Sequence, residues 1–273
     1  MLKGINQWCY PDGTPLEKVF EYSQRAGFDA VELNMNPNGG VGLTMETTLS
    51  EAESIAAMAK RYDLKLRSLS TALFWEFPLS DPDKAVRKKG QEVLRKQIEL
   101  AEAMGMDTVL VVPGIVNSRT PYETCYANSR VSIETILPQA EQAHVRIGLE
   151  NVGNKFLLSP MEFVSYIDSF QSPALGAYFD IGNALHYGYP EHWIKSLGER
   201  IFKVHAKDFS ESNQSVPLLA GDVNWKDVMT ALYEIGYNDT VTAELTPYKT
   251  GPELLAYDTA RHLETLFNWA KPV

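Results

Sequence analysis

Lys203-Val-His-Ala-Lys-Asp208 decides the reading of this chain. Side chains alternate across a strand, so Phe202, Val204 and Ala206 share one face and Lys203, His205 and Lys207 share the other. A strand with three polar residues on its second face must turn that face toward something polar. Three more strand-like segments each carry one carboxylate near the C-terminal end. They are Glu150 in Ile147-Gly-Leu-Glu-Asn151, Asp180 in Ala177-Tyr-Phe-Asp-Ile181 and Glu244 in Val241-Thr-Ala-Glu-Leu245. One imidazole and three acids at equivalent places outline a site for a hard metal ion.

Outward from that stretch, strands and helices alternate. Strands are expected at Leu2 to Trp8, Asp29 to Asn34, Leu64 to Thr71, Thr108 to Val112, Arg146 to Val152, Leu175 to Ile181, Ile201 to Asp208 and Thr240 to Thr246. Helical periodicity fills Pro15 to Gly27, Ser50 to Tyr62, Asp83 to Met104, Pro121 to His144 with a break at Pro138, Ser159 to Phe170, Glu191 to Leu197, Asn224 to Gly236 and Pro252 to Trp269. Ser50 with Glu53 three residues on has capping-box spacing, and Ser159-Pro160 reads as N-cap and first helical residue. The polar loop from Phe209 to Val223 is long enough to act as a lid. Eight strand–helix pairs with no linker predict one (β/α)8 barrel domain over residues 1–273. A doubly wound open sheet is the competing architecture, but the loop after the first strand lacks its glycine fingerprint.

The totals agree. The chain has 273 residues, 44% hydrophobic and 22% charged, which suits a globular α/β protein. A net charge of −10 repels a phosphate backbone, so nucleic acid is not an expected partner. Cys9 and Cys125 form no metal or redox pattern, and no apolar run approaches a bilayer span. With no leader-like N-terminus, the expectation is a cytoplasmic protein that does not associate with membranes.

In a barrel of this kind, active sites lie at the C-terminal ends of the strands. By parity Glu150 shares a face with Gly148, Asp180 with Tyr178, Glu244 with Thr242, and His205 with Lys203 and Lys207. All four candidates therefore point inward at the same end. Three carboxylates packed together cannot all stay ionised without a cation. Three oxygens and one imidazole suit one divalent ion, Mn²⁺ first, with Mg²⁺ or Co²⁺ close and Zn²⁺ less favoured.

Several segments together resemble the xylose-isomerase-like barrel superfamily, in particular its sugar phosphate isomerase/epimerase branch. They are Gly27-Phe-Asp-Ala-Val-Glu-Leu-Asn34, Leu149-Glu-Asn151, Phe179-Asp-Ile-Gly-Asn183, Val204-His-Ala-Lys-Asp208, Gly221-Asp-Val-Asn-Trp225 and Thr242-Ala-Glu-Leu245. The resemblance implies one metal held by Glu150, Asp180, His205 and Glu244, with the two glutamates also serving as the acid/base pair. Free-ketose 3-epimerases of this superfamily carry a His where this chain has Asn183, a Glu at the place of Phe156 and an Arg at the place of Glu211. The Asp-x-Gly-Asn form is more similar to the sugar-phosphate members. The apurinic endonucleases of the superfamily use further histidines on strands 3 and 4, which this chain lacks.

The expected function is isomerisation or epimerisation of a ketose or ketose phosphate. A proton would move between Glu150 and Glu244 through a metal-stabilised cis-enediolate. Substrate contacts are expected from Lys207, inward beside His205, from Glu32 at the end of strand 2, and from Asn183 and His186 after strand 6. Trp8 and Trp75 on top-face loops are candidates for an apolar wall, as is Phe74. Competing accounts are a salt bridge for Glu32, a charge partner for the acids at Lys207, a loop hydrogen bond for His186 and plain packing for the tryptophans. Lys155 and Lys249 are phosphate candidates by position alone. A metal-dependent dehydratase of a keto-polyol would need the same groups, and a non-catalytic sugar-binding barrel is the third reading. Barrels of this kind often pair, so a homodimer is a possible assembly.

Overall fold

The computed structural model describes residues 1–210, 212 and 214–269. Eight parallel strands close on themselves. They are β1 (Leu2–Asn6), β2 (Ala30–Asn36), β3 (Lys65–Ser70), β4 (Thr108–Val111), β5 (Arg146–Glu150), β6 (Leu175–Asp180), β7 (Ile201–Ala206) and β8 (Thr240–Ala243). Each pairs with its sequence neighbour, and β1 pairs with both β2 and β8, which closes the barrel. This is the (β/α)8 barrel that the alternation predicts, with the open sheet excluded by the β1–β8 pairing.

Burial follows the pattern of the residues. β4, Thr-Val-Leu-Val, is buried throughout, as a parallel strand covered on both faces must be. Inside the barrel, small residues make room for large ones. A Cβ at Gly148 would lie 3.0 Å from the Cβ of Tyr178 on the next strand, and one at Gly4 would lie 2.5 Å from Thr242 Oγ1. The interior at the N-terminal end holds ions instead. Lys203, fully buried, places Nζ 2.8 Å from Asp107 Oδ1 and 2.7 Å from Asp239 Oδ2, and Arg67 and Arg146 join the same acids.

The helices that cover the sheet start and stop on recognisable chemistry. α1 (Leu16–Ala26) ends at Gly27, whose φ of 85° is left-handed and costs glycine little. α2 (Leu49–Arg61) is capped two residues before the expected position. The capping box is Thr48 with Glu51, not Ser50 with Glu53, because Thr48 keeps extended backbone and exchanges hydrogen bonds with Glu51 in both directions. α3 (Lys84–Ala103) is capped by Asp83. The helix expected from Pro121 to His144 is two, α4 (Tyr122–Glu134) and α5 (Leu137–Gln142). The break precedes Pro138, which sits in the first turn of α5, where its missing N–H is harmless. α6 (Pro160–Asp168) has the expected Ser159 cap. α7 (Pro190–Leu197), α8 (Trp225–Glu234, capped by Asn224) and α9 (Leu254–Trp269) complete the outer layer. None of the helices among the described residues is long and apolar enough to cross a membrane.

The segment after β7 is tied down. Asp208–Phe209 pairs with Ser215–Val216. The fully buried Asp208 carboxylate accepts from the backbone N–H of Leu219, Gly221 and Val223 and from Trp225 Nε1. Three of these donors lie at the end of the expected lid segment, and the fourth is on the first residue of the helix that follows it.

Candidate active site

Glu150 is the last residue of β5 and Asp180 the last of β6, so both side chains leave the sheet at its C-terminal rim. Asp180 is fixed on both sides. Its N–H donates to Asn151 Oδ1 at 2.8 Å, and its Oδ1 accepts from the Asn183 N–H at 2.7 Å, capping the short helix Ile181–Ala184. Asp180 also lies directly across the ladder from His205 of β7. Glu244 follows the last residue of β8, and its N–H reaches Ala206 O at 3.2 Å.

These placements converge. One ligand atom from each of Glu150, Asp180, His205 and Glu244 can be chosen so that all lie within 4.8 Å of one another. His205 Nδ1 is 2.8 Å from Glu244 Oε2, 3.7 Å from Glu150 Oε1 and 3.8 Å from Asp180 Oδ2. His205 Nδ1 and Asp180 Oδ2 are buried and have no partner in good hydrogen-bond geometry. Buried polar atoms normally find one. Three carboxylates and an imidazole whose ligand atoms lie this close, two of them buried with only charged neighbours at hand, fit a divalent cation.

The electrostatics are those of a crowded acidic cluster. Burial pushes the carboxyls of Glu150 and Asp180 above their usual range. At Glu244 burial acts the same way, but Lys207 and His205 outweigh it and hold the group low. Lys207 Nζ lies 2.9 Å from Asp180 Oδ2, 3.0 Å from Glu244 Oε2 and 3.8 Å from Glu150 Oε1. Burial disfavours its charge, yet these three acids raise it well above an ordinary lysine.

The other candidates fall at different depths. Asn183 Nδ2 reaches Glu150 Oε1 at 3.4 Å and Asn151 O at 3.0 Å, so it borders the ring. Trp8 lines a cleft of about 310 Å³ above the ring, together with Lys207, Phe209, Ser215, Leu245, Thr246 and Pro247. Trp75, half-exposed on the short helix Leu73–Glu76, is not among the cleft's lining residues, and Phe74 is packed in the core. His186 is exposed, with its ring tilted 53° against that of Phe209 at 5.2 Å, and does not line the cleft. Lys155 and Lys249 are exposed. Glu211 lies outside the described residues.

Glu32 is not at the strand end. β2 runs two residues beyond Asn34, to Asn36, which leaves Glu32 in mid-strand, 2% exposed and beneath the ring, with its carboxylate on His205 Nε2. Parity gives Thr246 the inward face of Glu244, but Phe209, Ser215 and Pro247 were not legible as cleft residues. All four lie beyond the barrel strands, Phe209 and Ser215 in the short pairing after β7 and Thr246 and Pro247 in the loop after β8, and the period of the barrel strands does not fix their course.

Comparison with known proteins agrees on the fold. A family profile described as xylose isomerase-like TIM barrel matches residues 20–266. L-ribulose-5-phosphate 3-epimerase UlaE of Salmonella typhi is 22% identical over 236 residues, covering 86% of this chain and 83% of that protein. Among solved structures, an L-ribulose 3-epimerase superposes with a TM-score of 0.84 at 19% identity, over 98% of this chain and 95% of that one. The IOLI protein, solved with a bound zinc atom, superposes with a TM-score of 0.78 at 17% identity over the full length of both. At these identities the structural likenesses speak for the fold.

Proposed function

The chain belongs to the xylose isomerase-like TIM barrel family, and from that premise we propose that it is a divalent-metal-dependent epimerase or isomerase of a ketose or ketose phosphate. The observation that carries the reading is the ring of Glu150, Asp180, His205 and Glu244 at the mouth of the barrel. The name of the Salmonella relative supports the substrate class.

Those four residues would hold the cation, Mn²⁺ by preference, and such an ion would supply Lewis-acid stabilisation of charge developing on the substrate. The remaining chemistry belongs to the chain. Glu150 and Glu244 come from strands separated by β6 and β7, so they approach a substrate carbon from different sides. One carboxylate takes the proton beside the carbonyl and the other returns a proton to the opposite face, which inverts that carbon. Return to the adjacent carbon on the same face gives an aldose instead. Lys207 offers an ammonium to the oxygen on which negative charge develops. Asn183 steadies Glu150 by its amide, and Trp8 and Phe209 shield the reacting carbon from water.

Proton NMR in D₂O tests this on a panel of ketoses and ketose phosphates. The protein is stripped with EDTA, reloaded with Mn²⁺, and removed before spectra are taken. Metal-dependent deuterium uptake at C3 marks an epimerase, and uptake at C1 or C2 with aldose formation marks an isomerase. Loss of water from a keto-polyol, or no exchange across the panel, overturns the proposal.

A further inference from the structure

Glu32 is a buried carboxylate to which the proton-transfer scheme gives no task. It lies beneath the ligand ring, inside the barrel, and four donors surround it. Its Oε1 meets His205 Nε2 at 2.8 Å and accepts from Asn6 Nδ2 at 2.5 Å. Its Oε2 accepts from Ser68 Oγ at 2.6 Å and from the Tyr178 hydroxyl. The Asn6 amide nitrogen can only donate, so Oε1 is an acceptor, and the imidazole nitrogen facing that oxygen must be the one that carries a proton.

This fixes the other nitrogen. A histidine that binds a metal is neutral, with one ring N–H, and the partner of that N–H selects which nitrogen offers its electron pair. We propose that Glu32 is a positioning residue for His205: by holding the proton on Nε2 it presents the Nδ1 electron pair to the ring of Glu150, Asp180 and Glu244. Two further contacts serve the same end. The Tyr178 ring, 4.5 Å from the imidazole centre, limits its rotation. Asn6 Oδ1 accepts from the Trp8 N–H at 2.7 Å, so the residue that orients Glu32 also sets the turn carrying the cleft wall. The inference rests on the metal-centre reading given above.

Glu32→Gln is the sharp variant. Its amide NH₂ can turn toward Ser68 and Tyr178, whose hydroxyls can accept, and its remaining oxygen still faces His205 as a weaker, uncharged acceptor. The test uses protein labelled with ¹⁵N-histidine and Zn²⁺ as a diamagnetic probe, with His205→Gln to assign the ring signals. In the wild-type Zn²⁺ form, Nε2 should be the protonated nitrogen and Nδ1 the metal-shifted one. Glu32→Gln should keep that tautomer, move the Nε2–H proton upfield and weaken Zn²⁺ binding by about 10–100-fold. Ser68→Ala, which removes a donor from the other carboxylate oxygen, should weaken binding by less than about threefold.

A metal-shifted Nε2, or a Glu32→Gln protein that binds Zn²⁺ within about twofold of wild type, overturns the proposal. Equal losses in Glu32→Gln and Ser68→Ala also overturn it, since general damage to the core would then explain both. The Nε2–H proton is read in metal-free protein as well. If wild type binds no cation, the metal centre fails. The shift of that proton in metal-free Glu32→Gln then decides separately whether Glu32 holds the ring.

Discussion

The Lys207 ammonium lies 2.9 Å from Asp180 Oδ2, inside the set of oxygens proposed to hold a metal. It also lies 3.0 Å from Glu244 Oε2. Burial keeps Asp180 above its usual range even so, because what Lys207 and His205 return is less than what desolvation takes. A cation entering the ring competes with this ammonium for the same electron pairs. Lys207→Met should therefore bind Mn²⁺ more tightly, by about tenfold or more, since a charged hydrogen bond of roughly 1.5–3 kcal/mol no longer opposes binding. Turnover should fall in the same variant. Calorimetric titration checks the affinity, and a value equal to or weaker than wild type shows that the two cations do not compete.

Glu150→Gln and Glu244→Gln test the acid/base assignment. Each keeps the side chain's shape but turns one accepting oxygen into a donating NH₂ and cannot carry a proton between substrate faces. Turnover should drop by about 10²–10⁴-fold in either variant, with far-UV circular dichroism unchanged. Full activity in Glu244→Gln would falsify its role.

The ion cluster at the N-terminal end of the barrel gives the protein an acid limb. Burial works against the Asp239 carboxylate, but Lys203 and Arg67 outweigh it and lower its pKa from 3.8 to about 2. A carboxyl depressed in the folded state stabilises the fold above its unfolded pKa and loses that contribution as pH falls through the folded value. Asp239 should thus contribute fully above about pH 5 and nothing below about pH 1, with the loss centred between 3.8 and about 2. The shift corresponds to about 2 kcal/mol. Asp239→Asn should melt at a lower temperature at pH 7 and show a shallower decline between pH 4 and pH 2 (about those limits) in a calorimetric pH series. Parallel wild-type and variant curves contradict this.

Gly182 is required by close approach. A Cβ there would lie 2.6 Å from Lys207 Cβ and 2.9 Å from the Phe209 ring. Gly182→Ala should cost about 1–3 kcal/mol of stability through overpacking. It should also lower kcat, because the residues it pushes are the ammonium over the ring and a wall of the cleft. Wild-type melting and turnover together would show that the β7 exit can yield.

Much of the site was legible because strands have a period of two. Parity alone turned Glu150, Asp180, His205 and Glu244 to one side, and strand–helix alternation put them at one end. Glu32 shows where that reasoning stops. It was read as ending a strand, but the strand continues to Asn36 and pairs there with Leu43–Thr44, which lowers Glu32 by one layer into the interior. Lys203 has the parity of His205 but binds Asp107 and Asp239 at the opposite end. Periodicity gives a side, not a depth. Trp75 and His186 were placed at the site on loop position alone, and neither lines the cleft.

The sequence by itself determined the eight-fold alternation, the inward face of each strand and the residue types able to bind a cation, all of which depend on neighbours along the chain. Tertiary structure decided which groups share space. Closure of β1 on β8 and the stagger of adjacent strands, with register shifts at Val31/Leu33 and Ala177/Tyr178, set the level of every inward side chain. They put Glu32 on Nε2 of His205 and the other three carboxylates around its Nδ1. That partition of one imidazole between two sets of acids depends on distances across the barrel, and no local pattern in the chain carries them.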